Sequence, residues 1–328
     1  MKYIAALIVV EDIARSRRFY EGLLGQVVES DYGEDVAFKG GFSIHLKEHF
    51  SALLDGRAIG SRANDAELFF EHDDVAGLAR RLAAAGIEFI HGPREQPWRQ
   101  FCARFYDPDG HIVEVGERLQ HLAWRLSEEG LGLDEICRVT YLSRPAVLRA
   151  LAEYATGLFG VVIESERLLQ VAIRHDFDAD IFREFTPAVA TYMYPAPTCD
   201  RADTRAFVDS SIEGLQTGEQ LQLVIVDKER GEFIGCSGLH GLGRSDPELG
   251  IWTKLSAHGQ GYGREAVTAI VAWARSNASF ERLVYPVDKR NVASRRIPES
   301  LDGVIAREFR QLNQAGFELD EVEYWITR

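Results

Sequence analysis

The fold of the second half of the chain can be predicted from the sequence Glu248-Leu-Gly-Ile-Trp-Thr-Lys-Leu-Ser-Ala-His-Gly-Gln-Gly-Tyr-Gly-Arg-Glu-Ala266. It predicts a strand over residues 248–255, a glycine-rich turn, and an alanine-rich helix that begins directly from the turn. Such a helix leaves its first backbone N–H groups unpaired, with about +0.5 charge at that end. Because Gly261 and Gly263 have no Cβ, an anion can come close to the main chain. The stretch therefore predicts an anion site, and we expect the anion to be a phosphate.

Two common phosphate-binding motifs do not fit this turn. It has no Gly-x-x-x-x-Gly-Lys-Ser/Thr sequence. Its three glycines are spaced Gly-x-Gly-x-Gly, so Arg264 stands where the dinucleotide fingerprint Gly-x-Gly-x-x-Gly has its third glycine, and the later acidic residue of that fingerprint is missing. An ordinary glycine-rich connection without a ligand stays open as the alternative interpretation.

The elements that follow the turn are the strand Arg282-Leu-Val-Tyr-Pro-Val287 and the segment Asn291-Val-Ala-Ser-Arg-Arg296. With the glycine-rich turn they resemble the acetyl-CoA site of the GNAT acyltransferases. Within that superfamily the closest resemblance is to the ribosomal-protein alanine N-acetyltransferases, whose pattern is Gln/Arg-x-x-Gly-x-Gly/Ala followed by Asn-x-x-Ser. This chain has His258 at the Gln/Arg position. The resemblance covers residues 163–328 and implies a mixed sheet with helices on both faces.

The resemblance also implies which residues bind acetyl-CoA. The pyrophosphate is expected on the amides of the glycine-rich turn, the pantetheine arm along the backbone of the preceding strand, and Asn291 on the far side of that arm. The implied coenzyme residues are Trp252, Thr253, Lys254, Leu255, Gln260, Gly261, Tyr262, Gly263, Arg264, Glu265 and Asn291.

The implied reaction is direct attack of an amine on the thioester. Free amines have pKa values from about 8 to 10.4 and are mostly protonated at neutral pH, so a base must remove a proton. We expect Glu248 to be this base, with an ordinary strand-edge carboxylate as the alternative. The leaving thiolate needs an acid, for which Ser294 is the candidate and Tyr324 and Tyr285 are rivals. Ser294 has a plain alternative as a hydrogen-bonding residue at a helix end.

The first part of the chain, residues 1–117, predicts two βαβββ modules in tandem. Each has a strand, a helix ended by glycine (Gly25 and Gly86), and further short strands. The segments Val10-Glu-Asp-Ile-Ala-Arg-Ser-Arg-Arg-Phe-Tyr20 and Phe105-Tyr-Asp-Pro-Asp-Gly-His-Ile-Val-Glu114 resemble the vicinal oxygen chelate superfamily. Glyoxalases, bleomycin-resistance proteins and extradiol dioxygenases belong to it. The resemblance implies the fold and leaves the function open.

In the metalloenzymes of that superfamily, four strands supply the ligands. The corresponding positions here are His45, Glu67 and Glu114, while Ala5 stands at the fourth and cannot bind a metal. Three protein ligands are the usual minimum for a catalytic divalent site, so a metal in this domain stays open. We favour the other interpretation, in which these residues belong to a metal-free cavity for an apolar or aromatic compound. Three aromatic residues either line this cavity further or only close the core beneath it: Trp98, Phe101 and Phe105.

Length and composition place these two parts in an ordinary globular protein. A chain of 328 residues exceeds one typical core. The net charge of −14 argues against nucleic-acid partners and anionic membranes. The N-terminal apolar run is too short for a membrane anchor, and the cysteines form no Cys-x-x-Cys pair, so we expect a cytoplasmic protein with reduced cysteines.

Between the two parts, residues 118–162 predict three short helices. Two of them resemble a helix-turn-helix, but acidic residues balance the arginines, so we interpret the segment as a helical connector rather than a DNA-binding element. The predicted boundaries are thus 1–117, 118–162 and 163–328.

The sequence predicts an acetyl-CoA-dependent N-acetyltransferase that acts on a small-molecule amine or a protein N-terminus, fused to a small-molecule-binding domain. One alternative is a metal-dependent lyase or dioxygenase in the first domain. Another is a non-enzymatic two-domain sensor. A homodimer is expected, because vicinal oxygen chelate domains often pair.

Overall fold

The computed structural model describes residues 5–55 and 57–327. It divides the chain into two compact units, Met1–Leu122 and Ala123–Arg328. The division falls inside the first helix of the predicted connector, and the remainder of that connector belongs to the second unit.

The first unit begins with one βαβββ module. Its elements are β1 (Ala6–Val10), α1 (Ile13–Arg17, continued by a wider helical turn over Arg18–Leu23), β2 (Val28–Asp31), β3 (Asp35–Phe38), β4 (Phe42–Leu46) and α2 (Lys47–Leu53). The sheet order is β1-β4-β3-β2, with only β1 and β4 parallel. Asp12 caps α1 by accepting a hydrogen bond from the Arg15 amide. The sequence predicted the βαβββ order without placing β2, and it did not predict α2. The predicted start of the first strand at Tyr3 lies outside the described residues.

The second module repeats this order. Its elements are β5 (Glu67–Glu71), α3 (Val75–Ala84), β6 (Phe89–Glu95), β7 (Phe101–Tyr106) and β8 (Ile112–Gly116). The sheet order β5-β8-β7-β6 matches that of the first module, with β5 and β8 parallel. Apolar side chains from both modules form one core, so the predicted duplication is confirmed. Phe105 lies fully buried in this core, which is the second of the two alternatives that the sequence left open for it.

The second unit begins with the rest of the helical segment. The helices are α4 (Leu119–Glu128), α5 (Leu133–Thr140) and α6 (Arg144–Tyr154). The Leu133 amide at the start of α5 donates to Asp176 at 2.7 Å, and Arg144 pairs with Asp180. Because Asp176 and Asp180 belong to the next part of the chain, these contacts attach the helical segment to the second unit.

The rest of the unit is one eight-stranded sheet with helices. The strands are β9 (Val162–Glu164), β10 (Leu168–Ala172), β11 (Gln220–Asp227), β12 (Phe233–His240), β13 (Glu248–Thr253), β14 (Arg282–Asp288), β15 (Val304–Leu312) and β16 (Glu318–Thr327). The helices are α7 (Asp178–Glu184), α8 (Arg201–Thr217), α9 (Tyr262–Asn277) and α10 (Val292–Glu299). The strand order is β15-β16-β14-β13-β12-β11-β10-β9. The mixed sheet is confirmed, whereas β15 was not predicted.

The neighbours β13 and β14 form the parallel pair of this sheet, and they separate after one residue pair. Glu248 is in register with Val284, and the ladder holds no further pair. On its other edge β13 pairs with β12 along its whole length, from Glu248 to Thr253. One edge of β13 is therefore open beyond Glu248.

In the part of the chain that the structure describes, no helix combines the length and the apolar character that a membrane crossing requires.

Candidate functional site

The open edge of β13 presents backbone groups of alternate residues. The Lys254 amide donates to the carbonyl of Ile234 at 2.8 Å, so the backbone groups of Lys254 point toward β12. Because hydrogen-bonding directions alternate along a strand, Ile251 and Thr253 direct their backbone groups to the open edge. The Thr253 carbonyl accepts a hydrogen bond from Nε2 of His258 at 3.0 Å. This bond holds the glycine-rich turn against the end of the strand.

The glycine-rich turn leads into α9 through left-handed backbone. Gly259 has φ +74° and Gly261, the N-cap of α9, has φ +81°, a region that favours glycine. The Glu265 amide donates to the Gly261 carbonyl at 3.1 Å, the first bond of the helix. The preceding amides, those of Tyr262, Gly263 and Arg264, lie in the first turn and have no acceptor within the helix.

Gly261 and Gly263 differ in the atoms that surround the position where a Cβ would lie. A Cβ on Gly261 would have one neighbour within 4 Å, the guanidinium of Arg167 at 3.7 Å. A Cβ on Gly263 would make an ordinary contact with Ile297 at 3.5 Å. Packing within the chain therefore does not require glycine at position 263, and the space at both positions is open to a ligand.

Some of the coenzyme residues predicted from the sequence have backbone groups that are already bonded inside the fold. The Glu265 and Lys254 amides are used inside the fold, and Leu255 begins a short 3₁₀ turn after the strand has ended. Trp252 faces β12 in the ladder, and its ring packs against Phe185. Gln260 bonds its side-chain amide to Ser256. The backbone groups that these bonds leave to a ligand include those of Ile251, the Thr253 amide, and the amides of Tyr262, Gly263 and Arg264. Ile251 was not predicted.

Arg167, which precedes β10, contacts this turn and was not predicted as a site residue. Its Nε donates to Glu265 at 2.8 Å, and its Nη1 donates to the Gln260 carbonyl at 3.1 Å. Its guanidinium carbon lies 4.3 Å from the centre of the Tyr262 ring. These partners are 93 to 98 positions away in the sequence, so no local sequence pattern predicts the contacts of Arg167 with them.

Asn291 and Ser294 meet at the start of α10. The Asn291 side chain is the N-cap and accepts from the Ser294 amide at 3.1 Å. The Ser294 hydroxyl lies 2.8 Å from the hydroxyl of Tyr285, a buried residue of β14. Burial raises the pKa of Tyr285 to about 12, so this phenol holds its proton and can donate it in a hydrogen bond to Ser294.

Tyr324, the other predicted rival for the acid, is fully engaged elsewhere. Its hydroxyl donates to Glu299 at 2.7 Å and accepts from Nε of Arg295 at 3.1 Å. Both partners lie on α10, so these bonds attach that helix to β16. This arrangement is structural, and it makes Tyr324 a poorer candidate than Ser294.

Glu248 lies where β13 and β14 part, beside two other carboxylates. The residue is at the surface, but its carboxyl group is partly shielded from water, and this shielding raises its pKa. The charges of Glu321 and Glu323 raise it further, against the opposing effect of Arg244 and Arg307. A carboxylate with a raised pKa is a stronger proton acceptor than an ordinary glutamate, as a general base requires.

In the first unit, an arginine brings two of the three predicted cavity residues together. Nε of Arg104 donates to Glu67 at 2.9 Å, and its Nη2 pairs with Glu114. Nη1 lies 3.5 Å from Nε2 of His91. Glu114 is only 5% exposed, so the guanidinium supplies the positive charge that this buried carboxylate needs.

The third predicted residue, His45, has other contacts. Its Nε2 lies 2.7 Å from Nδ1 of His49, and the two rings stack. Its Nδ1 lies 3.6 Å from Asp35, too far for a hydrogen bond. Over residues 5–55 and 57–327, no group of three or more His, Cys, Asp or Glu side chains has the geometry to hold a metal ion.

Two family models match the chain. Residues 3–120 match the family described as a glyoxalase-like domain, and residues 167–304 match the acetyltransferase (GNAT) domain. Both domain types predicted from the sequence are confirmed.

Individual relatives cover one part of the chain each. The uncharacterized protein YetH of Bacillus subtilis is 26% identical over 117 residues, 34% of this chain and 92% of that protein. A structure of a protein of unknown function from Agrobacterium tumefaciens is 36% identical, covering 36% of this chain and 94% of that one, with a TM-score of 0.33. The RimL ribosomal L7/L12 α-N-protein acetyltransferase, solved in complex with coenzyme A, is 16% identical, covering 51% and 98%, with a TM-score of 0.46.

Proposed function

We propose that this chain, which joins a glyoxalase-like domain to a GNAT acetyltransferase domain, transfers an acetyl group from acetyl-CoA to an amine. The observation that carries the proposal is the strand β13, open on one edge after Glu248 and held by His258 against a glycine turn with free amides. An open strand edge takes an extended amide-containing chain, and a helix N-terminus takes a phosphate. Acetyl-CoA contains both groups.

The residues present fit this coenzyme. The amides of Tyr262, Gly263 and Arg264 would hold phosphate oxygens, and Ile251 and Thr253 would pair with the amides of the pantetheine arm. Asn291 accepts from Ser294 through its oxygen, which leaves its amide nitrogen as a donor toward that arm. The glycine at position 261 leaves the space that a ligand needs beside the N-cap.

The bound coenzyme supplies an acetyl group on a sulfur leaving group. Glu248 accepts a proton from the attacking amine, directly or through water, and its raised pKa suits that role. Ser294 donates a hydrogen bond to the leaving sulfur and passes it a proton, which the serine oxygen regains from water as Glu248 releases the proton taken from the amine. The Tyr285 phenol donates to Ser294, which leaves the serine hydrogen free to point away from that bond. We propose a small-molecule amine or a protein N-terminus as the acceptor.

Calorimetric titration of acetyl-CoA into the wild type and Gly261→Asp tests the proposal. Aspartate adds a Cβ and a negative charge at the N-cap, so we expect micromolar binding by the wild type and a loss of at least about 100-fold in the variant. Gly316→Asp is a matched control, because Gly316 also has positive φ, at +82°, with no atom within 4 Å of its Cβ position. Failure of the wild type to bind would refute the proposal.

Turnover separates an enzyme from a sensor. After binding is established, incubation with acetyl-CoA and a panel of polyamines, aminoglycosides and peptides with free N-termini should release coenzyme A. Release that depends on the amine and falls strongly in Glu248→Gln supports the transferase. An intact thioester with every amine would favour the non-enzymatic alternative.

We also propose that the first domain binds a small organic molecule without a metal. The observation that favours this is Arg104, whose guanidinium bridges Glu67 and Glu114 and so supplies the positive charge in that site. Elemental analysis of the purified chain after incubation with zinc, nickel, iron and manganese is expected to find far less than one ion per chain. A stoichiometric metal that is lost in Glu114→Gln would support the lyase or dioxygenase alternative.

A further inference from the structure

Arg167 is fixed beside the glycine turn by three kinds of contact. Its Nε and Nη2 pair with Oε2 of Glu265, at 2.8 and 2.7 Å. Its Nη1 donates to the Gln260 carbonyl, and its guanidinium lies over the Tyr262 ring. The side chain is thus held in one position even though 41% of its surface is exposed.

The guanidinium still has donors to offer. Arginine carries five N–H groups in a fixed fork. The hydrogen bonds to Glu265 and Gln260 use two of them, one from Nε and one from Nη1. At least one N–H therefore remains on each terminal nitrogen. One of these nitrogens is the nearest atom to the space above Gly261, 3.7 Å from the Cβ position.

The negative charge of Glu265 affects how the glycine turn can bind an anionic ligand. Glu265 lies in the first turn of α9, where its carboxylate accepts from Ser165 and from the backbone and side chain of Arg167. Burial raises the pKa of Glu265, but these hydrogen bonds outweigh burial and lower it, so the group is ionised. A free negative charge beside a phosphate site would repel the ligand, and Arg167 compensates for that charge.

We infer that Arg167 contacts a phosphate group of acetyl-CoA in addition to neutralising Glu265. This inference rests on the proposed function. The backbone amides of Tyr262, Gly263 and Arg264 supply directional hydrogen bonds but no full charge. Arg167 supplies the cation from another element of the sheet. The side chain at position 258 does not take this role, because its Nε2 is bound to the Thr253 carbonyl.

A double-mutant cycle measured by calorimetry separates the two roles. The variants are Arg167→Gln, Glu265→Gln and the double variant, each titrated with acetyl-CoA at two salt concentrations. Arg149→Gln is the control, since Arg149 is about as exposed as Arg167 and forms an ion pair with Glu164. Thermal unfolding of each variant confirms that the chain remains folded.

Arg167→Gln is expected to weaken binding about 10- to 100-fold, as the loss of a charge-assisted hydrogen bond predicts. Glu265→Gln should bind as tightly as the wild type or more tightly. The double variant should stay at least about 10-fold weaker than Glu265→Gln, with a shallower dependence on salt than the wild type.

Three results would overturn the inference. A double variant as tight as Glu265→Gln would show that Arg167 only neutralises the carboxylate, and the proposed function would stand. An unchanged affinity in Arg167→Gln would exclude both roles and would also leave the proposed function intact. Only the absence of binding in the wild type would remove the inference and the proposed function together.

Discussion

Two turns of this chain begin with similar sequence signals and differ in what their polar groups contact. The turn Asp107-Pro-Asp-Gly-His111 joins β7 to β8 in the first unit, and the turn His258–Gly263 joins β13 to α9 in the second. Each is rich in residues that favour turns, and each belongs to a motif by which the sequence resembles a family.

In the first turn the chain itself satisfies the carboxylates. Asp107 accepts from the amides of Asp109 and His111, from the Tyr20 hydroxyl at 2.8 Å, and from the His111 ring. Asp109 accepts from the Glu11 amide, the Ser16 hydroxyl and Arg15. These bonds attach the turn to α1.

In the second turn, the helix itself leaves the amides of Tyr262, Gly263 and Arg264 without acceptors. Left-handed glycines keep the space before them open. A motif whose polar groups are satisfied within the chain stabilises the fold, whereas a motif that leaves them open is a candidate for ligand binding. This is why the Asp-Pro-Asp-Gly turn predicts a fold and the glycine turn predicts a function.

The largest expected effect is in the first turn. Asp107→Ala removes an acceptor from the buried Tyr20 hydroxyl and should destabilise the first unit by about 3 kcal/mol. Hydrogen exchange of residues 101–116 in the intact chain should accelerate accordingly. Acetyl-CoA binding should not change. A similar loss of protection in Asp65→Ala, at an exposed position, would contradict this explanation.

The signals that predicted the fold correctly are local ones. Asp12 as an N-cap, Gly25 and Gly86 as helix ends, and the hydrophobic patterns of the two modules depend on residues close in sequence. β15 was missed because most of its residues are exposed, so it lacks the alternation that marks a half-buried strand.

The site was harder to predict because it depends on contacts between distant residues. Which residues of β13 face the open edge follows from its register with β12, which the strand's own sequence does not determine. Arg167 contacts Glu265 and Arg104 contacts Glu67 and Glu114 only because the sheets bring them together. Sequence patterns therefore predicted the glycine turn and missed both arginines.

A smaller effect tests whether the start of α9 requires glycine at position 263. Gly263→Ala places a better helix former in the first turn of α9, with an ordinary contact to Ile297, and should stabilise the chain by up to about 1 kcal/mol. The acetyl-CoA pattern that this turn resembles accepts alanine at this position, so acetyl-CoA binding, measured by calorimetry, should stay within about threefold of the wild type. A destabilised variant, or one that binds acetyl-CoA far more weakly, would show that the space at Gly263 is not open as described. Gly214→Ala is unsuitable as a control, because its Cβ would clash with Gln220 at 2.2 Å.

The smallest expected effect concerns Glu248. Its carboxylate, like the amides of the glycine turn, is available to a ligand. Partial shielding from water and then the charges of Glu321 and Glu323 raise its pKa. A base must be deprotonated to act, so kcat/KM for an amine found in the screen should rise with pH through this raised pKa. Glu321→Gln removes one like charge, lowers the pKa of Glu248, and should move the acid limb of the profile to lower pH, while Glu281→Gln, at an exposed position, should leave it in place. An acid limb that Glu321→Gln does not move, but that disappears in Glu248→Gln, would keep Glu248 as the base and refute its coupling to Glu321. A limb that persists in Glu248→Gln would show that another group accepts the proton.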